Sequence, residues 1–280
     1  PLLLAVACIS FGSIFVRLAQ APALTVSFYR MFLASLLLAP FALPTALPAW
    51  RALSFSHVLL LLGSGTALAL HFATWIASLS LTSVAASVLL VDMTPVFTLL
   101  LAWVALREPP TLRLVSAVGL AIAGAAWIAT GDSASGPAPL RGDLLALAGA
   151  VSLAVHHVIG RGLRLALPLG AYVLGVWAVA AIVLASFAFA SDVPLGGYPP
   201  RTLVAFLALA LVPTLMGHGL INRSLRTVPA AVVGLFLLGE PIGASILAYA
   251  LFGEVPSSST VTGGILVMGA LGLVASGGTR

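Results

Sequence analysis

The sequence has 280 residues, of which 61% are hydrophobic and only 7% are charged, and its formal net charge is +5. This composition excludes a soluble domain and predicts a protein that crosses the bilayer many times. The positive charge comes from arginines that mostly lie near the ends of apolar segments, which indicates membrane topology rather than nucleic-acid binding.

Ten apolar segments of about 20 residues follow one another along the chain, each long enough for a membrane-spanning helix. They are called spans 1 to 10 and cover residues 2–19, 25–42, 57–80, 83–105, 112–130, 143–160, 170–190, 202–224, 229–252 and 258–276. Short breaks rich in proline and glycine separate most of them. Since the first segment begins at once and residue 1 is Pro rather than Met, we expect the native N-terminus to lie upstream. The predicted fold class is an all-α membrane protein with ten transmembrane helices.

Residues 89–131 recur without a gap 146 positions later (241 − 95 = 146). Each copy contains an apolar helix with an internal proline, a turn with Glu and Pro, and a second apolar helix. The identical residues are Leu89/Leu235, Pro95/Pro241, Leu101/Leu247, Ala102/Ala248, Glu108/Glu254, Pro110/Pro256, Val115/Val261, Leu120/Leu266, Ala129/Ala275 and Gly131/Gly277. A repeated unit of this kind predicts two related halves. We assign 1–131 to a first five-helix repeat, 132–141 to a polar linker and 142–280 to a second five-helix repeat.

An odd number of helices in each half places the two halves in opposite orientations. Cytoplasmic loops are expected to carry the excess of arginines. If both termini are cytoplasmic, the inner loops carry eight arginines and the outer loops three: Arg51, Arg107, Arg113, Arg161, Arg164, Arg223, Arg226 and Arg280 inside, and Arg17, Arg141 and Arg201 outside. The count predicts two inverted repeats with both termini in the cytoplasm.

The proline-containing helix of each repeat resembles the corresponding helix of EamA-type exporters in the drug/metabolite transporter superfamily. The residues that carry the resemblance are Leu90, Pro95-Val96-Phe97, Leu101 and Glu108, the second copy Pro241 and Glu254, and Phe28-Tyr29-Arg30 with Ala34 in span 2. The resemblance covers nearly the whole chain and implies two inverted five-helix repeats, with spans 1–4 and 6–9 around a central cavity and spans 5 and 10 outside. It also implies a multi-pass protein of the bacterial inner membrane that exports metabolites, with amino acids, aromatic ones included, as the expected substrates.

Pro95 and Pro241 lie inside the predicted helices of spans 4 and 9. A proline there removes one backbone hydrogen bond and clashes with the carbonyl four residues earlier, at Val91 and Leu237. The resulting kink could be static, or the freed carbonyl could face a water-filled cavity. Because both repeats keep the proline, we predict that Pro95 and Pro241 are hinges around which the two halves rock during alternating access.

Two carboxylates lie close to these prolines. Glu240 directly precedes Pro241, about eleven residues into span 9, which at ~1.5 Å per residue places it near the middle of the bilayer. Asp92 lies three residues before Pro95. Charged side chains at such depth normally face a cavity or the bundle interior, and two neighbouring anions repel, so one of them could carry a proton. The alternative for each is a hydrogen bond to a neighbouring helix.

Further polar and aromatic side chains complete the predicted substrate site. Arg30, about six residues into span 2, could bind a substrate carboxylate, pair with either acidic residue, or extend toward the membrane surface. His71 and Trp75 lie one helical turn apart and could offer a polar group and an aromatic wall, or could pack in the core. Of the two adjacent histidines in span 6, only one can face the cavity, and His157 is assigned to it; Trp177 of span 7 could line it as well.

Glu108 and Glu254 occupy equivalent turns, each before a predicted helix. A carboxylate at the N-terminus of a helix interacts favourably with the positive end of the helix dipole. We therefore predict a structural role for both.

The predicted function is a secondary transporter that exports a small metabolite, most of all an amino acid, by alternating access. Its predicted mid-membrane site contains Arg30, His71, Trp75, Asp92, His157, Trp177 and Glu240. The sequence has no nucleotide-binding motif and no zinc-ligand spacing, which favours a carrier without cofactor or metal over an ATP-driven pump.

Three alternatives differ in class. An exporter of drugs or nucleobase-like compounds would share the fold. An intramembrane enzyme would need a nucleophile–base pair, which the sequence does not show. We therefore predict that the protein is not an enzyme. A purely structural scaffold would gain nothing from the costly Glu240. The expected partners are a small-molecule substrate and the lipid bilayer, with no nucleic acid, and the expected assembly is a monomer or a homodimer.

Overall fold

The computed structural model describes residues 1–106, 112–131, 136–224, 236–237 and 239–275. Within these ranges the chain is helical almost throughout and contains no strand. Six of the helices are long and apolar enough to cross a membrane, and shorter apolar helices accompany them. The predicted fold class, an all-α membrane protein with ten helical spans in two inverted repeats, is confirmed.

The bounds of most spans lie within a few residues of the prediction, but the helices of spans 2 and 6 are longer than predicted. Spans 1–5 are Leu2–Ala19, Ala23–Arg51, Phe55–Ser78, the pair Val84–Val91 and Thr94–Leu106, and Leu112–Gly131. Spans 6–10 are Pro139–Ala166, Leu169–Ala190, the series Pro200–Leu209, Ala210–His218 and Gly219–Ser224, then Gly239–Phe252 and Ser258–Ala275. The middle segment of span 8 is a π-helix.

Span 2 is longer than predicted, because its helix continues through three prolines to Arg51. Pro40, Pro44 and Pro48 are four residues apart and all exposed, so they share one face of the helix. Their missing N–H groups and ring clashes are therefore confined to that face. Small buried residues on the helix, such as Ala42, allow it to pack against span 7.

Span 4 is interrupted at Asp92 and Met93, just before its proline. The N–H that Pro95 lacks would have bonded the carbonyl of Val91. The hydroxyl of Thr94 donates to that carbonyl instead, at 2.7 Å. The carbonyl that was expected to face a water-filled cavity thus has a side-chain partner, and Val91 is buried.

Pro241 lies in the helix Gly239–Phe252 of span 9. Most of the helix predicted before Glu240, residues 229–238, lies outside the described residues. The hinge roles of Pro95 and Pro241 stay predictions, and so does the division of the chain at residues 131 and 142.

The helix contacts follow a two-fold relation between the halves. Span 3 packs against spans 6 and 7, and its counterpart, span 8, packs against spans 1 and 2. Spans 2 and 7, 4 and 9, and 5 and 10 pack against their own counterparts. Spans 5 and 10 meet so closely that a Cβ on Gly124 would lie 2.7 Å from the carbonyl oxygen of Gly263, and the reverse is also true.

One cluster joins the ends of spans 1, 3, 4 and 9, and it is called the Glu254 cluster below. Arg17, in the last turn of span 1, forms an ion pair with Glu254 and donates to the carbonyls of Leu79 at 3.2 Å and Thr82 at 3.0 Å. The other carboxylate oxygen of Glu254 accepts from the backbone N–H of Val84 at 2.6 Å. Glu254 therefore meets a helix N-terminus as predicted, but it is the start of span 4 rather than of span 10.

Candidate functional site

A second arginine lies in the interior of the bundle. Arg30 is only 3% exposed, and its Nε donates to the hydroxyl of Thr214 in span 8 at 3.0 Å. Its guanidinium carbon lies 4.4 Å from the ring centroid of Phe72 and 5.6 Å from that of Trp75, both in span 3. Arg30 therefore does not extend toward the membrane surface. It forms two cation–π contacts at a desolvated position.

His71 and Trp75 are buried and stack on each other, with ring centroids 5.9 Å apart and an angle of 11°. His71 Nδ1 lies 3.0 Å from the carbonyl oxygen of Gly149 in span 6, and because a carbonyl only accepts, this nitrogen carries the hydrogen. The indole Nε1 of Trp75 is buried and has no hydrogen-bond partner in the described part of the chain. The ring of Trp75, which was predicted to form an aromatic wall, thus packs against Arg30. The indole N–H of Trp75 has no acceptor among the described residues.

Spans 4 and 9 contribute one carboxylate each to this region, Asp92 and Glu240. Asp92 interacts electrostatically with Glu240, and Glu240 interacts with Arg30, although no direct ion pair joins these residues in the described structure. Asp92 follows the helix end at Val91, and its Oδ2 is buried without a partner among the described residues. The helix break before Pro95 therefore coincides with the carboxylate of Asp92, one oxygen of which is buried without a partner in the described structure.

The packing of span 9 on span 1 sets the depth of Glu240. The carbonyl oxygen of Glu240 lies 3.4 Å from the hydroxyl of Ser10, and a Cβ on Gly243 would collide with the same side chain. Ser10 is in the middle of the helix Leu2–Ala19. The contact therefore places Glu240 level with the middle of a membrane span, as the sequence predicted.

His156 and His157 of span 6 and His218 of span 8 lie close enough together to interact electrostatically. His157 and His218 have exposed side chains and interact electrostatically with each other and with the buried His71 and Arg30 respectively. The ring of His156 lies beside that of His157, with centroids 5.5 Å apart, and its Nδ1 lies 2.9 Å from the hydroxyl of Ser64 in span 3. His156 thus has a hydrogen-bond partner in span 3, and the cavity-facing role assigned to His157 stays a prediction.

Trp177 differs from the other predicted site residues. It is half-buried and packs at the edge of the main apolar core. Among the described residues, no hydrogen bond, ion pair or ring contact links it to Arg30 or to the two carboxylates. The structure thus brings Arg30, His71, Trp75, Asp92 and Glu240 together, with His157 at the border and Trp177 apart.

Comparison with known proteins agrees with this architecture. The sequence profile of the EamA-like transporter family matches twice, over residues 2–130 and 140–276. The chain belongs to the EamA-like transporter family. The predicted resemblance to this family is thus confirmed.

Two individual proteins are similar to this EamA-like transporter. An uncharacterized transporter of Bacillus subtilis (strain 168), YwfM, is 29% identical over 188 residues, which are 67% of this chain and 62% of that protein. The match thus spans less than two thirds of the relative's length. A solved crystal structure aligns with 99% of this chain and 95% of its own, with a TM-score of 0.67 and 17% identity, and shares the fold.

Sequence reasoning missed three contributors to the site of this EamA-like transporter. Phe72 forms the closer cation–π contact to Arg30, whereas the sequence prediction named its polar neighbour His71. Thr214 accepts from Arg30, and the π-helix that carries Thr214 contains Pro213. The available signal was a proline inside an apolar segment with a hydroxyl residue next to it, as in Pro213-Thr214 of span 8 and Thr94-Pro95 of span 4.

Proposed function

We propose that this EamA-like transporter exports small zwitterionic metabolites, with amino acids as the substrate class, across the bacterial inner membrane by alternating access. The observation that carries this proposal is the buried guanidinium of Arg30, whose Nη1 has no partner in the described chain. Two carboxylates, Asp92 and Glu240, lie close to the same region. A guanidinium and a carboxylate pair complement the carboxylate and the ammonium group of an amino acid.

The carboxylate pair also supports a coupling mechanism. Two ionised carboxylates that interact inside a membrane repel each other strongly, because little solvent screens them. We propose that Asp92 and Glu240 share one proton in the empty carrier. Binding of an ammonium group would compensate the second negative charge and release that proton, so the two ligands would compete.

An aromatic substrate has no specific support at this site. The rings of Phe72 and Trp75 contact the guanidinium of Arg30, and Trp75 also stacks on His71. These rings therefore stabilise the arginine within the protein. Our proposal includes amino acids in general and makes no choice of side chain.

The direct test is transport by the purified protein in liposomes. Uptake of a panel of labelled amino acids would be compared with uptake of their carboxamides and of lipophilic cationic drugs. We expect saturable transport of amino acids and little transport of the carboxamides. If the drugs are transported and no amino acid is, or if the carboxamides do as well as the acids, the proposed substrate class is wrong.

The orientation is a separate part of the proposal, in which both termini are cytoplasmic. Two exposed positions at opposite ends of the bundle report on it: Ser54 between spans 2 and 3, and Val255 between spans 9 and 10. With Cys8 replaced by serine, we expect a membrane-impermeant thiol reagent applied to intact cells to label Val255→Cys and not Ser54→Cys. The reverse pattern would invert the topology.

A further inference from the structure

The π-helix of span 8 has a local cause in the sequence. In an α-helix the carbonyl of Leu209 would accept from the N–H of residue 213, and Pro213 has none. The hydroxyl of Thr214 donates to that carbonyl at 2.8 Å, five residues back along the chain. Segments of π-helix inside a longer helix occur frequently at functional sites.

The hydrogen bond to Leu209 fixes the direction of the Thr214 hydroxyl. A hydroxyl has one hydrogen, so once it is donated the oxygen can only accept. This oxygen lies 3.0 Å from Arg30 Nε, which donates to it, and Thr214 is only 1% exposed. The π-helix therefore provides a fixed acceptor for one edge of the guanidinium.

The remaining contacts hold the guanidinium in one orientation. The rings of Phe72 and Trp75 lie against it at 4.4 and 5.6 Å from the guanidinium carbon. On the side of span 1 lies Gly12, where an added Cβ would be 3.6 Å from Trp75 Cη2, 3.8 Å from Pro213 Cβ and 4.0 Å from Arg30 Nη1. The absence of a side chain at Gly12 leaves space beside both groups.

Two donors remain without a partner in the described structure: Arg30 Nη1 and Trp75 Nε1, both buried. A buried donor without an acceptor is costly, and more so when it is charged. The two N–H groups belong to side chains in direct contact, and a carboxylate has two oxygens that accept from two such donors. Their surroundings thus fit an anionic ligand group.

We propose that Arg30 Nη1 and Trp75 Nε1 form the subsite for the carboxylate of the substrate, and that Thr214 is the positioning residue that orients Arg30 for it. This deepens the proposed function and depends on it for the amino-acid class. It adds a ligand-binding role for the indole N–H and a role for the proline-induced π-helix. The ligand chemistry is a monocarboxylate.

The subsite can be tested by ligand-induced thermal stabilisation of the whole purified protein, independently of transport. The probes are alanine, propionate, which lacks the ammonium group, and alaninamide, which lacks the carboxylate, each at matched ionic strength. We expect alanine and propionate to raise the melting temperature in a saturable way and alaninamide to have no effect. Stabilisation by alaninamide equal to that by alanine, or no stabilisation by either carboxylate, would overturn the subsite.

Thr214→Val keeps the shape of the side chain and removes the hydroxyl. We expect about a tenfold weaker apparent affinity for propionate, with recovery in Thr214→Ser, and in transport a raised KM with a nearly unchanged kcat. Thr25→Val is the matched control, because Thr25 is a fully buried threonine of the same span as Arg30 whose hydroxyl bonds the carbonyl of Pro194. A wild-type affinity in Thr214→Val, or an equal loss in Thr25→Val, would remove the positioning role.

Trp75→Phe provides a second variant if Thr214→Val does not fold. It retains an aromatic ring against Arg30 and removes the indole N–H. We expect it to weaken the binding of propionate and alanine by similar factors. Propionate binding without any amino-acid transport would keep the carboxylate subsite and reject the proposed function, whereas amino-acid transport with wild-type propionate binding in both variants would do the opposite.

Discussion

The protein contains two arginine–carboxylate clusters that differ in how completely their polar groups are paired. In the Glu254 cluster each nitrogen of Arg17 has an acceptor, and both carboxylate oxygens of Glu254 have a donor. The second cluster consists of Arg30, Asp92 and Glu240. In it Arg30 has one hydrogen bond and two ring contacts, while Arg30 Nη1 and Asp92 Oδ2 have no partner in the described structure. The cluster with fully paired polar groups holds helix ends together, and the cluster with unpaired polar groups fits a ligand site.

The surroundings strengthen this contrast. The side chains of Arg17 and Glu254 are 25% and 17% exposed, so water could have satisfied part of their charge. Arg30 is almost fully buried, where an unpaired donor is most costly. Incomplete pairing thus occurs where it is hardest to tolerate, and this supports our proposal that a ligand supplies the missing partner in part of the transport cycle. The following predictions test the contrast, from the largest expected effect to the smallest.

The largest effect is expected from replacing each arginine by lysine. Arg30→Lys keeps the charge but loses the planar fork and the cation–π geometry, so we expect transport to fall about a hundredfold. Arg17→Lys at the Glu254 cluster should change transport less than about twofold and lower the melting temperature. Initial uptake rates in liposomes at equal protein content measure both. Equal losses of transport in the two variants would abolish the distinction.

The next effect concerns Glu240→Gln, which removes the charge and keeps the shape. We expect transport to fall about tenfold or more and to lose its dependence on pH, because the carboxylate no longer exchanges a proton. The melting temperature should hold or rise, since a buried charge has been removed. Transport rates across a pH series measure this directly. Normal transport with wild-type pH dependence would remove Glu240 from the mechanism.

A smaller, several-fold loss of transport is expected when the prolines of spans 4 and 9 are replaced. In Pro95→Ala the N–H at position 95 can bond the carbonyl of Val91, which Thr94 now satisfies, and the helix can become continuous through Asp92. Pro241→Ala should act in the same direction. Expression and melting temperature should hold or rise in both. If both variants transport at the wild-type rate, the helix breaks are static features of packing.

The smallest effect on transport is expected at Glu254. Glu254→Gln weakens the contact with Arg17 and with the N-terminus of span 4, so we expect the free energy of unfolding to fall by about 1–2 kcal/mol. Transport per folded molecule should stay close to wild type. This is the opposite of the pattern expected for Glu240→Gln. A large loss of transport without loss of stability would assign Glu254 to the transport cycle.

The sequence by itself determined the architecture. Hydrophobic length is a local property, so ten spans could be counted directly, and the recurrence of Pro95 and Glu108 at Pro241 and Glu254 indicated the two related halves. The depth of Glu240 also followed from counting residues along a helix, and its contact with Ser10 agrees. The prolines of span 2 show the limit of such reasoning, because a helix tolerates proline when the affected face is exposed.

Only the tertiary structure decided which polar groups meet. Arg30 and Thr214 are 184 residues apart in sequence, and Arg17 and Glu254 are 237 apart. Both arginines lie in apolar helices, Arg17 in the last turn of span 1 and Arg30 about six residues into span 2, and either side chain could in principle have extended to the membrane surface. The packing of span 2 against spans 3 and 8 buries one of them beside aromatic rings and a π-helix, whereas the end of span 1 brings the other to backbone carbonyls and Glu254. Pairing in space, rather than residue type, separates the structural arginine from the one that fits a ligand.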